Sequence, residues 1–188
     1  MAATVKVNEW NGASGTKTDK TSGTIRFKNA DNATVDLNNP LVVPSADREY
    51  SYEKWLRLAA YGEYTQISNL RAYTDGANGL QAGSPLAVKG WYGTRGGYQT
   101  PAIPSESDDP PKSAGAGSPL EVMSDLFAAV SGSPIDLDAV NTGPFTPLSP
   151  NSDEQDIGDF LVLVCEVEVG ATNGLLTAET LTFAWDEI

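Results

Sequence analysis

The sequence predicts a mostly β protein: an antiparallel β-sandwich, jelly-roll-like in its connections, with one short helix and long loops. Three observations carry this. Apolar side chains recur with a two-residue period in short runs, Val, Ile, Thr, Tyr, Phe and Trp concentrate in those runs, and clusters of Gly, Asn, Asp and Pro separate them. About eight strands result, without the 20–50-residue period of a solenoid or propeller. With 188 residues, the chain suits a single domain spanning 1–188, with loop excursions at about 105–118 and 131–157.

The first strand expected is Ala3 to Glu9, where Val5 and Val7 alternate with Thr4, Lys6 and Asn8. Trp10 follows, and Asn11 to Gly23 lacks any apolar period and reads as a long surface connection. Thr24 to Lys28 reads as a second strand, forming a hairpin with Thr34-Val-Asp-Leu across an Asx-rich turn. Pro40 and Pro44 bracket Leu41-Val-Val, which fits an edge segment. Tyr50 to Tyr61 carries bulk on both faces and reads as a central strand; Lys54 to Ala60 also contains good helix formers, but the aromatic content and Tyr61-Gly62 favour a strand.

Ile67 to Thr74 is the next strand, stopped by Asp75-Gly-Ala-Asn-Gly79. Pro85 to Tyr92 is another, Gly93-Thr-Arg-Gly-Gly97 reads as a turn, and a short edge strand is expected around Tyr98. Ser105 to Pro119 shifts to loop composition. Ser118-Pro-Leu-Glu121 offers an N-cap, a proline at the first helical position and an acid in the first turn, so the helix is expected there, with Val122, Met123, Leu126, Phe127 and Val130 following. Ser131 to Gln155 returns to loop composition. The chain closes with Phe160–Val169 and Thr180–Trp185, two alternating runs expected to pair antiparallel across Gly170, Asn173 and Gly174, their apolar faces forming one core layer.

Composition narrows function. Twelve Lys+Arg against 25 Asp+Glu give a net charge of −13, which repels nucleic acid and anionic membranes. A single cysteine, Cys165, permits no internal disulfide and fits folding in a reducing cytosol. No signal-peptide h-region and no run of about 18 apolar residues is present.

Chemistry is sparse. The absence of histidine removes the commonest general base and transition-metal ligand, and no enzyme activity or cofactor is expected. Glycoside hydrolysis needs only two carboxylates; Glu166 and Glu168 lie on one strand face, where solvent-facing strand residues are the simpler reading. Asp153, Glu154, Asp156 and Asp159, or Asp75 and Asn78, could supply oxygen ligands for calcium, without EF-hand spacing, and solvated turns are again simpler. Trp91, Tyr92 and Tyr98 could form a contact platform, with core packing the competing reading.

Three blocks, Tyr50-Ser-Tyr-Glu-Lys-Trp-Leu-Arg-Leu, Ile67-Ser-Asn-Leu-Arg-Ala-Tyr-Thr-Asp-Gly and Leu181-Thr-Phe-Ala-Trp-Asp-Glu-Ile188, together resemble small β-sandwich virion structural proteins of tailed bacteriophages. The resemblance implies a head decoration, or cement, protein on the outer head surface, synthesised in the host cytoplasm, with the major capsid protein and copies of itself in a homotrimer as partners. A tail or baseplate component and a carbohydrate-binding module are the alternatives. Independently of the resemblance, termini, extended loops, aromatics and Arg are favoured contact elements. They nominate Thr4, Val5, Val7 and Trp10 near the N-terminus, Asp108 and Asp109 in the long loop, and Trp91, Tyr92, Arg95 and Tyr98.

Overall fold

The computed structural model describes residues 2–80, 87–113, 121–148, 151–172 and 178–188. Its strands are β1 (Thr4–Asn11), β2 (Thr16–Asp19), β3 (Arg48–Tyr50), β4 (Lys54–Tyr61), β5 (Ile67–Tyr73), β6 (Val88–Arg95), β7 (Ser124–Asp125), β8 (Ile135–Asp136), β9 (Gln155–Glu168) and β10 (Thr182–Glu187). The fold is mostly β, and every strand pairing is antiparallel. Among the described residues no helix is long and apolar enough to cross a membrane.

A seven-stranded sheet runs β2-β1-β4-β9-β6-β7, and a three-stranded sheet runs β10-β5-β8. A jelly roll divides eight strands between two sheets; here the division is unequal. The axis of the large sheet is β9. At 14 residues it outruns any single neighbour, so β4 pairs along Gln155–Leu163 and β3 along Glu166–Glu168 on one edge, while β6 takes the other. Phe160 to Val167 are buried throughout, which explains why this run is apolar on both faces. Leu161, Leu163, Cys165 and Val167 face the small sheet in the inner core; Phe160, Val162 and Val164 face outward into a second cluster.

The two closing runs do not pair with each other. Both edges of β9 are occupied, and β10 pairs with β5 in the other sheet. Leu181, Phe183 and Trp185 nevertheless pack on the same core as Leu161 and Leu163, because they meet across the sandwich. Alternation fixes which face a strand buries and leaves its neighbour open. Asn173, Gly174 and the rest of 173–177 lie outside the described residues, as does Pro85.

Several local expectations also change. Within Asn11–Gly23, β2 folds back on β1, closed by the Gly15 N–H donating to the Gly12 carbonyl at 3.1 Å. Thr24–Lys28 and Thr34–Leu37 form no hairpin, and Leu41-Val-Val forms no edge strand; residues 20–46 are an irregular arm. Gly93 to Arg95 continue β6, pairing with Phe160 to Val162, and no strand forms at Tyr98. Within the expected 131–157 excursion, β8 pairs with β5 and β9 already begins.

The expected helix is absent from the described part of its span; Ser118, Pro119 and Leu120 lie outside it. Instead Ser124 and Asp125 pair with β6, and Asp125 caps a three-residue 3-10 turn, Leu126–Ala128, by accepting the Phe127 N–H at 2.9 Å. The apolar residues have opposite destinations. Met123 packs in the outer cluster and Leu126 and Phe127 in the inner one, so the chain wraps the edge of β6. One helix face cannot place them on both sides of a sheet. Gly90 permits this wrap, since a Cβ there would meet Phe127 at 3.0 Å and Leu126 at 3.2 Å.

Candidate functional site

The outer face of the large sheet gathers most of the nominated residues. Trp10 of β1 lies beside Trp55 of β4, and Phe160 of β9 fills the centre. Tyr98, from the irregular segment 96–113, closes over them, with ring centroids 5.3 Å from Trp10, 5.5 Å from Trp55 and 5.7 Å from Phe160. Edge-on and tilted packing of this kind adds about 0.5–1.5 kcal/mol per pair beyond area burial. The Tyr98 hydroxyl donates to the Gly12 carbonyl at 2.6 Å, and burial raises its phenol above the ordinary tyrosine range.

Buried carboxylates fasten the same segment. Glu53, fully buried beside β4, accepts the Trp55 indole N–H at 3.0 Å, the Ser113 hydroxyl at 2.8 Å and the Ala102 N–H at 3.4 Å. Glu166, also fully buried, accepts the Trp91 indole N–H at 2.6 Å and lies 3.4 Å from the Lys89 ammonium and 3.7 Å from the Arg48 guanidinium. Arg48 reaches on to Asp109 at 2.7 Å, and the Tyr50 hydroxyl donates to the Asp108 carbonyl at 2.7 Å. Burial raises the Glu166 carboxyl while Trp91, Lys89 and Arg48 oppose the rise.

Glu166 is therefore not the solvent-facing residue expected. It anchors a charge network, while Glu168, half-buried, pairs with Lys89. With its oxygens engaged by an indole and two cations, Glu166 does not present the open carboxylate pair that glycoside hydrolysis needs. Three of the four loop acids considered are engaged too. Glu154 binds Lys6 and Asn8, Asp156 binds Lys17, and Asp159 accepts the N–H groups of Val140 and Asn141. Asp75 caps its own turn through the Ala77 N–H, and Asn78 donates to the Val88 carbonyl. Among the described residues no group of three His, Cys, Asp or Glu side chains is placed to hold a metal. Burial pushes the Cys165 thiol up to about 12.

Of the nominated contacts, Trp10, Trp91 and Tyr98 share this outer cluster, partly buried. Arg95 pairs with Glu121 at 2.7 Å, and Asp108 pairs with Lys112 at 2.9 Å. Val5, Val7 and Tyr92 sit instead on the inner core, and Thr4 is exposed at the start of β1.

The inner face holds a second polar anchor that sequence reading missed. Glu9 of β1 and Lys54 of β4 are both almost fully buried, 3.3 Å apart, and Lys20 approaches Glu9 to 3.5 Å. Lys54 also donates to the Asn32 carbonyl at 3.1 Å and Lys20 to the Ala33 carbonyl at 2.6 Å. Asp31 returns the favour to the sheet, accepting from the Asn11 amide and the Gly12 N–H. Lys28 is buried and bonded to Asn32 and Thr34. Desolvation lowers the Lys54 and Lys28 ammonium groups from the usual lysine range, opposed by Glu9. The available signal was a charged residue at each of two inward positions, Glu9 after Val5 and Val7, and Lys54 before Leu56 and Leu58.

The arm held this way leaves Val35, Leu37 and Val42 exposed at 62%, 83% and 54%. The molecule thus presents two irregular covers, each fastened to the large sheet by buried charge. Comparison with protein families, with curated proteins and with solved structures finds no match to this chain.

Proposed function

We propose that this chain is a non-enzymatic structural protein of a phage virion, a capsid decoration protein that bridges major capsid subunits on the outer head surface as a homotrimer. The observation that carries the reading is the arm 20–46: irregular backbone, fixed by the buried Glu9–Lys54 pair, that exposes Val35, Leu37 and Val42. Exposed apolar side chains on a fastened segment suit a surface that another protein covers. The sequence blocks that resemble phage virion proteins point the same way, and the net charge of −13 suits a basic partner surface.

The carbohydrate-binding alternative draws less support, because Trp10 and Tyr98 pack against Phe160 and Trp55 instead of standing free as a sugar platform. Protein composition of purified particles tests the proposal. Hundreds of copies per particle are expected; a handful indicates a tail or baseplate component, and none overturns the virion reading. Deletion of the gene should leave particles that form but lose contents sooner on heating.

A further inference from the structure

The arm lays Ile25, Phe27, Leu41 and Val43 on the inner core without filling the space between arm and large sheet. Between them lies a cavity of about 680 Å³, in the range of small-molecule sites, roughly 300–1,000 Å³. Its wall is apolar where sheet and arm face each other: Val7, Val88 and Leu163 on one side, Ile25 and Phe27 on the other, with Phe183 of β10 beside them.

Charge on the lining runs against the rest of the chain. The protein has 12 Lys+Arg against 25 Asp+Glu, yet the cavity is lined by three cations, Lys20, Arg26 and Lys28, and two acids, Asp36 and Glu179. Asp36 is already engaged by the Asn32 and Asn39 amides and the Asn38 N–H. Lys20 and Lys28 are committed to arm carbonyls. Arg26 differs from every other Lys and Arg in its bonds to the described residues. The other eleven Lys and Arg each make a hydrogen bond or ion pair. Arg26, exposed at the cavity, makes none with any described residue.

An apolar cavity beside one unengaged guanidinium fits one class of ligand. We infer that the cavity binds a single-chain amphiphile with an anionic head, its hydrocarbon tail lying between arm and sheet and its carboxylate or phosphate paired with Arg26. Burying a tail of this kind contributes about 0.8 kcal/mol per CH₂, and a planar guanidinium matches both head groups bidentately. The inference does not rest on the virion reading, and neither falls with the other.

The test is titration of the full chain with 11-(dansylamino)undecanoate, followed by emission and by displacement with dodecanoate, dodecyl phosphate and dodecan-1-ol. Saturable binding of one equivalent is expected, displaced by either anion at least about tenfold better than by the alcohol. Which anion displaces better identifies the head group. Arg26→Glu, at an exposed position, should keep the melting temperature and weaken dodecanoate by about tenfold or more. Ile25→Trp, which fills the cavity from the arm, should abolish binding. Absence of saturable binding overturns the inference, as does displacement by the alcohol equal to that by dodecanoate together with an unchanged affinity in Arg26→Glu.

Discussion

The two faces of the large sheet are covered by different means. On the outer face, segment 96–113 lays Tyr98 onto an aromatic layer and sinks hydrogen-bond donors into Glu53, so cover and sheet share one packed cluster. On the inner face, arm 20–46 is held at one end by Glu9, Lys54 and Asp31 and lays Ile25, Phe27, Leu41 and Val43 on the inner core, with a cavity of about 680 Å³ left beside them. Both covers are irregular chain and both use buried charge. The outer one closes with its aromatic rings in contact and the inner one leaves a cavity beneath it, so the arm is the less tightly packed of the two.

The largest expected effect breaks the outer layer. Trp55 is fully buried, and Trp55→Ala should cost about 3–5 kcal/mol in urea denaturation. Next comes the arm's anchor. Glu9→Gln leaves the Lys54 ammonium buried without its counter-charge and should cost about 3 kcal/mol, with trypsin cutting faster after Arg26 and Lys28. The double change Glu9→Leu with Lys54→Met should cost less than Glu9→Gln alone, since no charge is then stranded; a double variant weaker than the single one would show that the pair is more than an anchor.

Cys165, on the inner face of β9, reports how well that side is sealed. Its thiol, near 9 when exposed, is pushed up to about 12, chiefly by burial. The unfolded chain therefore releases this proton before the folded one does. The thiol's contribution to stability is full below about pH 9 and falls as pH rises toward 12, by about 1.4 kcal/mol per unit. Cys165→Ala should remove that slope, and a thiol reagent at pH 8 should react only on unfolding. Rapid reaction in the native state would mean that the cavity admits water to β9.

Tyr98→Phe removes only the hydroxyl bonded to Gly12 and should cost about 1 kcal/mol. Smallest is Leu37→Ser on the exposed arm, expected within about 0.5 kcal/mol of the parent in stability, but measurably weaker on particles.

Much of this was legible in the chain. Two-residue alternation placed β1, β4 and β5 to within a few residues and β9 from Phe160 onward, and the bulk on both faces of Tyr50–Tyr61 marked a central strand. The arm was misread because Ile25 and Phe27 alternate like strand residues while finding no strand to pair with. The buried charges were hidden for a related reason: Glu9 and Lys54 read as ordinary polar positions until β1 and β4 are brought side by side in register.

What the sequence by itself determined is the fold class and the inward face of each long strand, because side-chain period and turn chemistry are local. Tertiary structure alone decided which strands are neighbours and which carboxylates are buried. It separated Met123 from Leu126 across a sheet edge, and it placed β10 over the core from β9 instead of beside it. Those outcomes depend on which backbone edges remain open after β9 has taken its partners, a competition among distant segments. Gly158 marks such a point. It lies within the register shift between β4 and β9, next to Asp159, which reaches the 140–141 loop; its φ of +67° and the 2.4 Å approach that a Cβ there would make to the Leu137 carbonyl come from what packs against the strand.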